Sequence, residues 1–564
     1  MSRRFAIFIY AATAAFFGLF FIYPIWHTVS EAFVSSDGKF TLSYVGEVFR
    51  NPIYTEGLLN SLKMGFFSTV LSVLIALPLA LMANTYNFPG KGALNSLILV
   101  PLILPPFVGA LGIRQFLGQS GVVNAFLTKF GMMDPAAPFD WLGEGQLIGV
   151  VIMIALHLYP IAYLNISAAL ANLDPAMEEA AENLGCNGAR RLFKITLPLI
   201  MPGLFAGCTI IFIWAFTELG VPLVFDFGRV TSVQIFDGIK DLSGNPFPYA
   251  LVVVMLVATT LFYLVGKTFF GRDNFSSSGR ASTGRSMKKA KPLLGWFCTG
   301  SFIFVTVLAI LPHIGVVLLA VSTDWYQTML PSSVTSQHFV DALGHPLTIN
   351  SITNSLKYAS FSTLFDIVLG IAIAYVVVRT KLPGRQFLDA MAMLPLAVPG
   401  LVLAFGFLAM TREGQPFDFL ILGEDPVLIL VIAYAVRRLP YVVRSAAAGF
   451  QQTSVSLEEA AQNLGCSPLR SMRKITLPLI SANLIAGGLL AFSFAMLEVS
   501  DSLILAEQQQ HFPITKAIYA LISALGNGHH LASALGVWAM LFLGVTIIGA
   551  GIILGQKLGA LFRV

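Results

Sequence analysis

The sequence predicts an all-α polytopic membrane protein, with twelve transmembrane helices arranged as two parallel six-helix repeats. Three observations predict it. The 564 residues are 56% hydrophobic and only 11% charged, where a soluble domain carries about 25% charged residues. Many apolar runs reach the ~20 residues that a bilayer core requires. Polar landmarks of the first half also return in the second at constant offsets.

The apolar runs give the elements in order. The first half has spans near 5–26, 58–83, 95–117, 146–170, 198–220 and 248–268. The second has spans near 293–321, 355–378, 388–411, 427–448, 478–505 and 531–555. The first run follows Ser2-Arg3-Arg4 and is weighed against a secretory signal. Its apolar core is too long for one, so it reads as an uncleaved span. Cys186, Cys208, Cys298 and Cys466 are scattered and match no metal or disulfide spacing.

Charge sets the orientation. Between 267 and 293 lie Lys267, Arg272, Arg280, Arg285, Lys288, Lys289 and Lys291 against Asp273 alone. This Ser/Gly-rich stretch reads as a flexible cytoplasmic linker. Lys91, Arg190, Arg191, Lys194, Arg379, Lys381, Arg385, Arg470, Arg473 and Lys474 fall on the same side. Glu31, Asp37, Glu47, Glu56, Asp134, Asp140, Glu144, Glu413, Asp418, Glu424 and Asp425 fall on the other. Both termini are therefore expected in the cytoplasm. The organisation is a first half 1–270, a basic linker 271–292 and a second half 293–564.

The halves repeat. Asn60-Ser61-Leu62-Lys63 returns as Asn354-Ser355-Leu356-Lys357, Pro89-Gly90 as Pro383-Gly384, and Pro101 and Pro105 as Pro395 and Pro399, each 294 residues on. Pro160 returns as Pro440, Glu179 as Glu459 and Glu218 as Glu498, each 280 residues on. The first half thus carries about fourteen extra residues near 118–144. Matched landmarks face the same side after six spans, so the repeats are parallel, about an axis along the membrane normal.

One repeated stretch is polar. Met177-Glu178-Glu179-Ala180-Ala181-Glu182-Asn183-Leu184-Gly185-Cys186 returns as Leu457-Glu458-Glu459-Ala460-Ala461-Gln462-Asn463-Leu464-Gly465-Cys466. Each copy ends nine residues later in Ile-Thr-Leu-Pro, at Pro198 and Pro478. Asp174 and Ser454 or Ser456 suit helix N-caps, Glu-Glu-Ala-Ala favours helix, and Gly185 and Gly465 suit a helix end. A short cytoplasmic helix between the fourth and fifth spans is expected in each half, a handle for a partner.

This pattern resembles the EAA loop of the membrane subunits of binding-protein-dependent ABC importers, and the resemblance covers essentially the whole chain as two fused permease halves. It implies the type I ABC importer permease fold. It implies that Glu178, Glu179, Ala180, Ala181 and Gly185, with Glu458, Glu459, Ala460, Ala461 and Gly465, contact the ATP-binding subunits. It also implies a homodimeric ABC ATPase at the cytoplasmic face, a periplasmic or lipid-anchored solute-binding protein outside, and a multi-pass place in a bacterial inner membrane. No phosphate loop is found: Gly266-Lys267-Thr268 lacks the earlier glycine, since position 261 is Leu261. The chain is thus not expected to be an enzyme, to bind a cofactor or to bind nucleic acid, and ATP with Mg belongs to the partner.

Ionisable residues at membrane depth are functional suspects. Glu218, Glu498 and Asp501 are candidates to line the substrate path, with His157, Asp366 and Arg114 also present. The other reading caps or pairs each of them within the protein. Carboxylates would suit a hard cation such as ferric iron, and the fused build most resembles the ferric-iron branch of the family. Importers of 2-aminoethylphosphonate or thiamine share the plan. A secondary transporter is the alternative class, without a use for paired docking loops.

Overall fold

The computed structural model describes residues 3–35, 37–143, 146–186, 188–239, 245–270, 288–524 and 526–554. The expected linker up to residue 287, Glu144 and residues 242–244 lie outside the described residues. Among those described, nine helices are long and apolar enough to cross a membrane, or eleven if each of two bent pairs is one span.

In chain order these are α1 (Ile7–Glu31), α2 (Pro52–Thr85), the bent pair α3 (Lys91–Leu102) and α4 (Pro106–Lys129), and α5 (Leu147–Ala171). After the short helix α6 (Pro175–Asn183) come α7 (Gly188–Phe216), α8 (Phe247–Thr268), α9 (Pro292–Val321) and α10 (Pro346–Arg379). The second bent pair is α11 (Arg385–Leu396) and α12 (Gly400–Met410). It is followed by α13 (Val427–Gln452), α14 (Val455–Asn463) and α15 (Pro468–Met496). The short α16 (Ser500–Leu505) and α17 (Ile514–Ile522) precede α18 (Gly528–Thr546).

Helix α13 occupies the expected tenth span. It carries Arg437, Arg438 and Arg444 and stands outside the count of apolar helices. With it, each of the twelve expected positions holds a helix or a bent pair.

Proline explains the bends. A residue before proline is pushed out of the α region. Leu104 and Pro105 are extended, each ahead of a proline, while in the second pair it is Pro399 itself that is extended, ahead of Gly400. Both pairs bend by 94°. Within α3 and α11 the regular helix also stops just ahead of Pro101 and Pro395, each of which opens a new short turn where its missing N–H costs nothing.

The chain divides into two compact units that are not the two sequence halves. The larger comprises Met1–Tyr54, Gln234–Leu256 and Thr335–Leu561, and the smaller is built mainly of Thr55–Val233 and Val257–Val334. Each unit therefore takes its first span from the other half. In the larger, α1 packs on α12, where a Cβ on Gly406 would lie 2.9 Å from Pro24. In the smaller, α9 packs on α4 so closely that a Cβ on Gly112 would overlap the Pro312 carbonyl oxygen at 1.7 Å. Small residues at such crossings are how helices associate where lipid is as apolar as the side chains. Outward-facing Phe66, Leu74, Phe304, Leu364 and Val368 are exposed, as lipid-facing positions are.

Candidate functional site

The two polar loops fold alike. Helix α6 starts at Asp174, whose Oδ1 accepts from the Ala176 N–H at 2.9 Å. Helix α14 starts at Ser454, whose Oγ accepts from the Ser456 N–H at 3.3 Å. Both close on glycine. Gly185 and Gly465 have φ of +78° and +85°, the left-handed region where a side chain is strained. The Cys186 N–H then donates to the Ala181 carbonyl at 2.9 Å, and the Cys466 N–H to Ala461 at 3.0 Å. These bonds satisfy carbonyls that the helix ends leave open. Past each glycine a four-residue helix leads into a π-helical turn, Leu192–Thr196 and Met472–Thr476, again 280 residues apart.

The expected contact residues divide by face. Glu179, Ala180 and Gly185, with Glu459, Ala460 and Gly465, are exposed, while Ala181 and Ala461 are buried beneath them. Leu184 and Leu464, not singled out from sequence, are 88% and 89% exposed. The same apolar side chain thus stands exposed at the tip of both loops.

Glu458 departs from its expected role as a surface contact. Its carboxylate turns inward and accepts from Arg379 Nε at 3.0 Å, with the two side chains 10% and 6% exposed. Arg379 also donates to the Thr453 carbonyl at 2.9 Å and lies over the Phe450 ring. The first loop is braced differently, by Arg191 on Glu182 at 2.9 Å.

The intramembrane acids do not form one set. Glu218, in the smaller unit, caps the helix Gly220–Val224, accepting from the Gly220 and Val221 N–H groups at 3.1 and 3.3 Å. Arg114 bonds the Val224 carbonyl at 2.9 Å, and His157 Nδ1 meets the Pro101 carbonyl at 2.7 Å. Glu498 and Asp501 belong to the larger unit and do come together. Glu498 pairs through its two oxygens with Arg437 and Arg438, and Asp501 Oδ2 lies 3.4 Å from Arg437 Nη1. Both acids are buried. Asp366 on α10 is fully buried with neither oxygen hydrogen-bonded, within the field of Arg438. A Cβ on Gly400 would sit 2.2 to 2.5 Å from the Arg437 guanidinium, so glycine opens the slot that this group fills.

This cluster belongs to the second half alone. At the repeat offsets, Arg437, Arg438 and Asp501 correspond to His157, Leu158 and Val221, Asp366 to Ser72, and Gly400 to Pro106. Buried ion pairs add little net stability, yet losing one partner costs about 3–5 kcal/mol because the other charge stays buried. The acids are thus held by neighbouring arginines rather than presented as bare oxygen ligands. The arginines themselves were missed from sequence. Their signal was the doublet Arg437-Arg438 inside an apolar run.

A duplicated helical bundle with one capped polar loop in each half is the build of a polytopic membrane protein. Residues 72–273 and 366–558 each match the family described as binding-protein-dependent transport system inner membrane component, and the two matches begin 294 residues apart. The chain belongs to this family and is the membrane permease subunit of an ABC importer, a multi-pass inner-membrane protein.

Among relatives, it is 27% identical over 472 residues to the provisionally named ferric transport system permease protein FbpB 1 of Haemophilus influenzae, covering 82% of this chain and 70% of that one. It is 27% identical over 469 residues to the ferric transport system permease protein FbpB of Actinobacillus pleuropneumoniae, covering 81% of this chain and 64% of that one. A solved bacterial ABC transporter involved in import of the acidic polysaccharide alginate matches 47% of this chain and 93% of its own, with 18% identity and a TM-score of 0.39.

Proposed function

We propose that this chain is the translocation subunit of an ATP-driven importer of ferric iron. One observation carries the transport mechanism: two capped helices, α6 and α14, of one design, each with an exposed leucine beside a left-handed glycine. Each serves one subunit of a separate homodimeric ABC ATPase, which holds ATP and Mg; this chain binds no cofactor. The positive charge of these loops supports a cytoplasmic position for the handles, the linker and both termini. A periplasmic or lipid-anchored solute-binding protein delivers the solute to the opposite face. Closure of the ATPase pair opens the path outward, and hydrolysis resets it inward.

Ferric iron is favoured by the names of the relatives that match along most of the chain. The carboxylate argument is weaker than the sequence suggested, because Glu498 is already paired with two arginines. The test is uptake of labelled ferric iron into cells with and without the gene, beside labelled 2-aminoethylphosphonate. Loss of iron uptake alone is expected. Retained iron uptake with lost phosphonate uptake would keep the permease and reject the solute.

A further inference from the structure

The two coupling helices share a backbone but not an anchorage. Helix α14 is tied to α10 by the Arg379–Glu458 ion pair, and the same guanidinium holds the end of α13 through the Thr453 carbonyl and the Phe450 ring. Of the four residues in this anchor, only Glu458 is kept in the first half, as Glu178. Arg379 corresponds to Thr85, Phe450 to Leu170 and Thr453 to Leu173. The first half has a brace of its own from Glu182 to Arg191, in the segment that follows α6, at positions that are Gln462 and Ser471 in the second half.

The far side of the anchor is a long element. Helix α10 has 34 residues, about 51 Å at 1.5 Å per residue. Arg379 ends it, and Asp366 lies thirteen residues back toward its middle, about 20 Å away. There its unbonded carboxyl meets the field of Arg438, the arginine that also holds Glu498. One helix, packed along α13, thus carries both the anchor of the second handle and a buried acid. In the first half, the corresponding helix α2 has Thr85 at its end and Ser72 in its interior at these two positions.

We propose that Arg379 is a positioning residue that makes α10 the transmission rod for the second coupling helix, so that the two handles of this permease are mechanically unequal. The proposal rests on the permease reading above. A displacement of α14 is passed to α10 because a desolvated guanidinium fork holds both, and a buried pair resists separation where an exposed one is screened. At the position of Arg379 the first half has Thr85, so this arginine tie is specific to the second handle.

The test uses the full chain with its ATPase and solute-binding protein in proteoliposomes, with ferric iron as the probe. ATP hydrolysed per iron taken up is measured, and co-purification of the ATPase is checked. Arg379→Gln should leave the ATPase bound but raise ATP spent per iron about tenfold, a typical size for coupling between sites. Arg379→Lys, which keeps the charge and loses the fork, should fall between. Thr85→Ala, at the matching position of the other half, should stay within about twofold of wild type, near the scatter expected of an uncoupled site.

A ratio unchanged in Arg379→Gln, or raised as much by Thr85→Ala, overturns the proposal. If Arg379→Gln is not recovered from the membrane, Glu458→Gln is read instead: a raised ratio supports the tie and an unchanged one overturns it. Wild-type protein that neither binds the ATPase nor shows ATP-dependent uptake overturns the permease reading and this proposal together. That result is distinct from a wild type that transports beside an unaffected variant.

Discussion

Lys516 holds its ammonium against the Leu503 carbonyl at 2.8 Å and over the Phe512 ring. Burial disfavours the charged form and brings its pKa down to about 8, with Glu507 opposing the shift. The folded chain therefore gives up this proton before the unfolded chain does. Between about pH 8 and 10.5 the unfolded state binds more protons, so stability rises with pH across that window. Below it both states are protonated and the whole cost is present, about 3 kcal/mol by the pKa difference. Lys516→Met removes the cost at every pH. Thermal unfolding in detergent should find the variant more stable at pH 7.5, with the gap closing toward pH 10. A gap that widens with pH would mean that the charged form is the favoured one.

At the scale of elements, the broken helix α11–α12 and the arginine helix α13 depend on each other. Pro399 ends one arm, Gly400 begins the next, and the Arg437 guanidinium lies where a Gly400 side chain would be. That guanidinium cannot swing aside freely, because it is pinned by Glu498 and Asp501. Gly400→Ala should therefore act as a charge-cluster mutation, not as a mild helix-start change. It is expected to destabilise by about 3 kcal/mol, the scale of a broken buried pair, and to be less than additive with Glu498→Gln. A double-mutant cycle on unfolding midpoints checks this, and strict additivity would separate the glycine from the cluster.

Much at this scale was legible in the sequence. Run length gave the spans, the offsets of 294 and 280 gave the repeat, and Asp174, Ser454, Gly185 and Gly465 gave both caps of each handle. Such signals are local: a cap, a turn or a period is written within a few residues. The inward turn of Glu458 was not legible, because its partner Arg379 is 79 residues away. Asp501 and Arg437 are likewise 64 residues apart. A lone acid in an apolar run looks the same whether it faces a path or an arginine.

For the whole molecule the unreadable feature is the exchange of first spans. A repeat tells which segments are alike but not which copy each one packs beside. The larger unit draws Met1–Tyr54 and Gln234–Leu256 from the first half, and the smaller draws its segment through Val334 from the second. The contacts are close, with Gly112 against Pro312 and Gly406 against Pro24 leaving no room for a Cβ. A half produced alone would keep its own first span and lack the one its bundle is shaped around, exposing the glycine-lined grooves on α4 or α12. Chains 1–270 and 293–564 expressed separately should each be degraded or aggregate. Co-expressed, they should associate and recover the unfolding midpoint of the intact protein to within a few degrees, since a cytoplasmic linker contributes chiefly effective concentration. Pulse-chase lifetimes in membranes and co-purification of the tagged halves measure both outcomes. A single half that persists alone with the lifetime of the intact chain would show that each repeat closes on its own first span, and the exchange would have to be abandoned.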